Sequence, residues 1–326
     1  MILVTGGAGF IGSNIVAALC ERGVPVTVCD RLRDNDKWRN LAKSNFSDLV
    51  EPDALDAWLA GQPRLDAVVH MGAISATTEC DADLIFDVNV RLSTRLWDWC
   101  TAHGTPLIYA SSAATYGAGT HGFDDDALPE ALARLRPLNA YGWSKHFFDR
   151  RVSDGIAAGR VAPPQWVGLK FFNVYGPNEY HKGTMRSVVA QKYAAVASGQ
   201  PVKLFTSHHP EYPDGGQMRD FVYVEDCVEV MLWLLDRPGV SGLYNLGSGQ
   251  ARSFADLARA MAVAAGQPSR IEFVPMPEAI RPNYQYFTEA RMRKLRDAGY
   301  DRPLTSIEDG VRFYVERYLA GPDPYR

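Results

Sequence analysis

The chain opens Met1-Ile2-Leu3-Val4-Thr5-Gly6-Gly7-Ala8-Gly9-Phe10-Ile11-Gly12, and this stretch decides the fold. Ile2–Thr5 is a short apolar run that reads as a strand. Gly6, Gly9 and Gly12 follow at G-x-x-G-x-x-G spacing, and Ile11–Arg22 continues as an apolar helical pattern. Glycine lets a chain turn tightly and lets its backbone approach a pyrophosphate closely. A helix that starts at such a turn offers free N–H groups and a partial positive charge to an anion. Three glycines in a featureless stretch would mark only a flexible turn. Between a strand and a helix they mark a phosphate-binding turn, the expected site of a dinucleotide.

The pattern continues outward from there. Pro25–Asp30 reads as a second strand, ending on an acid about 20 residues after the turn, where a ribose hydroxyl would be accepted. Arg31, Arg33 and Lys37 follow. Bases there would hold a 2′-phosphate, which favours NADP over NAD; the alternative is a solvated basic loop. Strands at Asp66–Met71, Pro106–Ala110 and Trp166–Phe171 alternate with helical patterns at Asp83–His103 and Tyr141–Gly155. Strands alternating with helices imply right-handed βαβ units and a parallel sheet. Beyond Tyr175 the pattern loosens through the turn Gly176-Pro177-Asn178 and a Pro-, Gly-, His- and Asp-rich loop at Ser207–Gly216. A strand and helix over Asp220–Leu235, a strand at Leu243–Leu246 and a helix at Phe254–Ala265 follow.

The expected architecture is α/β, a Rossmann-type doubly wound parallel sheet with a smaller C-terminal substrate-binding domain. Residues 1–172 would form the NAD(P)-binding domain, rejoined by about 220–250. Residues 173–219 and 251–326 would form the substrate domain.

Tyr141-Gly142-Trp143-Ser144-Lys145 carries Y-x-x-x-K. On a helix the two side chains share a face. Lys145, helped by an oxidised nicotinamide, would lower the pKa of the Tyr141 phenol and make it an acid or base near neutral pH. Ser112 lies after a strand in Tyr109–Gly117, where ligands of such sheets bind, and would hydrogen-bond a reacting hydroxyl beside Tyr141. A non-enzymatic cofactor-sensing module would keep the glycine turn and dispense with Tyr141, Lys145 and Ser112. All three are present.

Composition narrows the setting. Of 326 residues 46% are apolar and 22% charged, and the net charge is −4. That is ordinary globular composition, with neither a nucleic-acid nor a polybasic membrane surface. The five cysteines are scattered with no C-x-x-C pair. They indicate no disulfide framework and no metal site, and fit a reduced, cytoplasmic setting. No signal peptide is expected at the N-terminus.

At these residues the chain resembles the extended short-chain dehydrogenase/reductase superfamily. Ala110–Gly117, Phe172–Pro177, His181-Lys182-Gly183, Arg219–Val224, Tyr284-Gln285 and Ala298–Asp301 narrow the resemblance to the ADP-L-glycero-D-manno-heptose 6-epimerases. The resemblance covers most of the chain. It implies inversion at C6 of a nucleotide-linked heptose by transient oxidation to a ketone, with Tyr141 and Lys182 as the two bases. It places Phe10, Ile11, Met71, Gly72, Ala73, Ile74, Ser75, Asn89 and Val174 at the cofactor, with Gly6, Gly9, Gly12, Asp30, Arg31, Lys37 and Lys145. It places Asn173, Thr184, Gln191, Phe205, Arg219 and Tyr284 at the nucleotide-sugar substrate, with Ser112. Arg219 would bind the diphosphate, the alternative being a salt bridge to Asp220 or Asp226. A homo-oligomer is also implied. Three places depart from the family pattern: Ser207–Gln217 is long, Gln191 stands for His, and Pro52 stands for a cofactor-contacting Lys. A dehydratase would carry an acid and a base where this chain has Ala113 and Ala114. An epimerase of a UDP- or GDP-linked sugar is the closer alternative.

Overall fold

Runs that are apolar on both sides become the centre of the molecule. The computed structural model describes residues 1–326 apart from 34 and 63, and all side chains but those of 279, 282 and 283 as well. Its strands are β1 (Ile2–Thr5), β2 (Val26–Cys29), β3 (Asp48–Val50), β4 (Ala67–His70), β5 (Leu107–Ser112), β6 (Trp166–Phe171), β7 (Asn173–Tyr175), β8 (Val202–Phe205), β9 (Met218–Tyr223), β10 (Gly242–Leu246), β11 (Ala251–Ser253) and β12 (Ile271–Val274). Every residue of β1, β2, β4 and β10 is buried. Such strands need helices over both faces, the condition of a parallel sheet.

Seven strands form that sheet in the order β10-β6-β5-β4-β1-β2-β3, and every pairing in it is parallel. The expected doubly wound sheet is therefore present. Strand order reverses between β1 and β4, which opens a crevice outside their carboxyl ends. Thr5 closes β1 level with Cys29 and His70 of its two neighbours.

Two of the expected elements take a different form. β5 runs on to Ser112 because Ser111 and Ser112 pair with Lys170 and Phe171 of β6. Both serines are thus strand residues, fixed by the ladder. The helix expected over Asp83–His103 contains a widened π turn at Phe86–Arg91. Such turns interrupt a helix where a side chain is needed elsewhere, and Asn89 lies in this one.

The later segments build a second, smaller packing unit. β7, β9 and β11 form one small sheet, and β8 and β12 another. Helices Val188–Ala197, Phe254–Ala264 and Ile307–Tyr314 cover them, with Val189, Met261, Val311 and Tyr314 in their core. Phe10, the first residue of the helix Phe10–Glu21, packs into this second core. The glycine turn thus stands at the joint between the two. Among the described residues no helix is long and apolar enough to cross a membrane.

Candidate active site

The glycine turn is built by close approach. Gly6 has φ +65°, and a Cβ there would lie 2.5 Å from the Gly72 nitrogen. A Cβ on Gly12 would lie 2.1 Å from the Gly6 carbonyl oxygen. Gly9 N–H donates to that same oxygen at 2.9 Å. Helices starting after Asn139, Ser187, Ser253 and Ser306 all receive a side-chain N-cap. The helix after Gly9 receives none. Its first N–H groups stay open, as an anion site requires.

Asp30 is 8% exposed and fully engaged. One oxygen accepts Ala8 N–H at 2.9 Å; the other accepts Arg31 N–H at 2.7 Å and pairs with Lys37. It braces the turn from below. Arg31 pairs with exposed Asp53. Met71–Ser75 leaves β4 beneath the turn. Asn89 holds it there, accepting Ile74 N–H at 2.8 Å and donating to Ile74 O at 3.0 Å and Ser144 Oγ at 3.0 Å. Asn89 is fully buried, so it ties this strip to the helix Ala140–Ala157. His70, unremarked in the sequence, is its counterpart below, bonded to Thr5 Oγ1 at 2.6 Å and Ser93 Oγ at 2.9 Å. Burial pushes its pKa down to about 3, so it stays neutral.

Tyr141 and Lys145 stand on the helix Ala140–Ala157, capped by Asn139. Gly142 lets that helix settle on the turn after β5; a Cβ there would lie 2.7 Å from the Ala114 carbonyl oxygen. Burial raises the Tyr141 phenol, and the Ser112 hydroxyl beside it pulls the other way. The expected acidification by Lys145 does not appear in the chain alone, where burial dominates and the Asp149 carboxylate adds to the rise. Burial lowers Lys145 to about 8. Its ammonium has no ion pair among the described residues, so a buried cation is left facing the crevice.

One turn farther along the same face is Asp149. It accepts Ser111 Oγ at 2.6 Å, Tyr109 Oη at 3.3 Å and Lys170 Nζ at 2.7 Å. Lys170 also donates to Thr115 Oγ1 at 2.8 Å and lies 5.0 Å from the Tyr116 ring centre. Both charges are wholly buried. Sequence reasoning passed over this pair, although a lone lysine inside the apolar run Trp166–Phe171 signals a buried partner.

The other side of the crevice is fastened by amides. Asn14 donates to Pro177 O at 3.0 Å, and Asn178, at φ +72°, donates to Ser13 Oγ at 3.0 Å. Asn40 Nδ2 lies 2.9 Å from Ala8 O, 3.0 Å from Asn178 O and 3.1 Å from His181 Nδ1. Nothing at the sequence level marked Asn40. Buried Glu179 accepts Ser187 Oγ at 2.6 Å and Tyr314 Oη at 3.2 Å. The short turn Tyr180–Met185, with Lys182, hangs between these anchors. The Lys182 ammonium lies 5.4 Å from the Phe10 ring centre. Burial lowers its pKa and Glu179 opposes the shift.

Asn173 and Val174 sit on β7, the first exposed and the second half-buried. Thr184 and Gln191 are exposed, and the Gln191 amide is bonded to Thr184 O at 3.0 Å and Arg186 O at 2.6 Å. Phe205, half-buried, ends β8. Arg219 is buried with its guanidinium 5.2 Å from the Tyr284 ring centre. Asp220 bonds Ser248, Gly249 and Ala290 instead, and Asp226 bonds Thr305. The salt-bridge alternative for Arg219 is thereby removed, and its charge lacks a carboxylate among the described residues. An open helix N-terminus, a glycine cradle and an unpaired buried Lys145 fit a dinucleotide; a buried, unpaired Arg219 fits a diphosphate.

Comparison with known proteins identifies the family. The NAD dependent epimerase/dehydratase family matches residues 2–247. The chain is 51% identical to the ADP-L-glycero-D-manno-heptose-6-epimerase of Nitratidesulfovibrio vulgaris strain Hildenborough and 47% identical to that of Fusobacterium nucleatum, over the whole of both chains in each case. The crystal structure of the Helicobacter pylori ADP-L-glycero-D-manno-heptose-6-epimerase superposes with a TM-score of 0.77 at 28% identity, covering 97% of this chain and 95% of that one. The chain belongs to the NAD dependent epimerase/dehydratase family and, within it, groups with the ADP-L-glycero-D-manno-heptose-6-epimerases.

Proposed function

We propose that this chain epimerises an ADP-linked glyceromanno-heptose at C6 by transient oxidation to a ketone and reduction on the opposite face. The observation that carries the reading is a pair of titratable side chains on separate supports: Tyr141, beside Ser112, on the helix Ala140–Ala157, and Lys182, against Phe10, on the turn Tyr180–Met185.

A bound nicotinamide dinucleotide supplies the hydride acceptor and donor. Gly6, Gly9, Phe10, Ile11 and Gly12 would hold its pyrophosphate, and Met71–Ser75 and Val174 would contact the rest of it. Asp30, Arg31 and Lys37 lie at its adenosine end. NADP is favoured over NAD because the Arg31–Asp53 pair is exposed, and such pairs contribute ~0–1 kcal/mol, so a phosphate displaces Asp53 at small cost. Tighter binding of NAD than of NADP would overturn that preference.

Lys145 supplies the charge that stabilises a Tyr141 phenolate, and Ser112 orients the sugar hydroxyl toward the phenol oxygen. Tyr141 takes that hydroxyl proton as the ketone forms. Turning the ketone presents its other face, and the second proton then comes from Lys182, whose lowered pKa suits an ammonium acting as an acid. Asn173, Thr184, Gln191, Phe205, Arg219 and Tyr284 hold the nucleotide sugar. In this reading residues 1–172 with about 220–250 carry the cofactor, and 173–219 with 251–326 the substrate, in a homo-oligomer. NMR product analysis with ADP-heptose, UDP-sugars and GDP-sugars offered side by side tests it. Inversion of ADP-heptose alone is expected; exclusive turnover of a UDP- or GDP-sugar contradicts the substrate assignment.

A further inference from the structure

The segment Ser207–Gln217 is a long loop that leads into Arg219, and it is not loosely held. Ser207 N–H donates to Asp214 Oδ1 at 2.7 Å, Gly215 N–H to Phe205 O at 3.2 Å and Gly216 N–H to Pro213 O at 2.8 Å. His208 N–H reaches across to Tyr286 Oη at 3.1 Å. These bonds gather three half-buried rings into one cluster. The centroids of His209 and Tyr212 are 5.3 Å apart, those of His209 and Tyr286 5.1 Å, and those of Tyr212 and Tyr286 5.4 Å. Tyr286 in turn lies 5.3 Å from Tyr284, on which the Arg219 guanidinium rests. An unbroken aromatic path therefore runs from a buried cation, without a counter-ion among the described residues, to the loop.

We propose that His209 and Tyr212 of this loop, backed by Tyr286, form the platform on which the purine base of the substrate stacks. This rests on the nucleotide-sugar reading and deepens it. A guanidinium binds two oxygens of a diphosphate at once. The nucleoside joined to that diphosphate then falls on neighbouring rings. Flat aromatic groups take any base, but a bicyclic purine covers more of a three-ring platform than a pyrimidine does. Base preference thus comes from the loop and diphosphate affinity from Arg219.

Isothermal titration of the dinucleotide-loaded enzyme separates the two. Loading keeps the probes out of the cofactor's own adenosine pocket. The probes are ADP, UDP and inorganic pyrophosphate. The wild-type enzyme should bind ADP more tightly than UDP. The double variant His209→Ala/Tyr212→Ala should bind ADP about ten- to one-hundred-fold more weakly, the range for one lost base stack. Its pyrophosphate affinity should be unchanged, which also certifies that the Arg219 site is folded. Tyr212→Phe, which keeps the ring, should retain ADP affinity. Unchanged ADP binding in the double variant overturns the platform while leaving the nucleotide-sugar reading intact. Failure of the wild-type enzyme to bind ADP or UDP overturns both.

Discussion

The helix Ala140–Ala157 and the turn Tyr180–Met185 each bring a lysine to the crevice, and they are held in opposite ways. The helix lies on the central sheet, and its own Asp149 is locked to Lys170 of β6 as a wholly buried ion pair. Its lysine is fixed by helical spacing alone. The turn has no ladder to rest on. It is fastened at its ends, by Glu179 to Ser187 and Tyr314 and by Asn40 and Asn178 to the glycine turn. One proton-handling site is set by secondary structure and buried charge; the other is set by side-chain bonds that cross from one packing unit to the other.

Five measurements break or sharpen this contrast. Tyr141→Phe removes the phenol proton and should cut epimerisation by about 10²–10⁴, the usual share of a positioned acid or base. Thermal melting and bound dinucleotide should be unchanged. Asp149→Asn should cost about 3–5 kcal/mol of stability in urea titration, because Lys170 is left as an uncompensated buried charge. Lys182→Ala should lower turnover by about 10² with little change in stability, since the ammonium has no partner that the fold depends on. Retained dinucleotide in that variant separates a proton-handling role from a pyrophosphate-binding one. Full activity in both Tyr141→Phe and Lys182→Ala would remove the two-base assignment.

Asn40→Ala should cost about 1–3 kcal/mol, the range for orphaned buried polar groups, here Ala8 O and Asn178 O. It should also raise the KM for the nucleotide sugar by loosening the Lys182 turn. A further effect is on pH. Burial holds His70 at about 3 and His181 at about 4, against an ordinary 6.5. The unfolded chain therefore takes up protons first, so the stability these neutral rings contribute is complete above pH 6.5 and is lost as pH falls toward those values. Urea midpoints measured downward from neutrality should fall in that window. His181→Gln should flatten the part of the slope that lies above about 4.

What was legible in the sequence follows the same division. The glycine turn, the Y-x-x-x-K pair and the strands of the parallel sheet are local signals, since spacing along the chain equals placement on a strand or helix. The helix Phe10–Glu21 and strand β6 fell within a residue of their expected bounds. β3, β7, β8, β11 and β12 were missed. They are three or four residues long and are specified by their neighbours rather than by their own pattern. Asn40 was invisible because its three partners lie 32 to 141 residues away. Lys170 and Asp149 were visible as charges in apolar surroundings, but only the fold shows that they meet.

In the proposed reaction the inverted carbon gives up its hydrogen to a partner inside the crevice and takes the same one back. Turnover of ADP-heptose in D₂O, followed by ¹H NMR, tests it directly. Complete equilibration of the C6 epimers is expected, with the C6 hydrogen retained and no deuterium at that carbon. Deuterium appearing at C6 in step with inversion would mean exchange with solvent, and would contradict it.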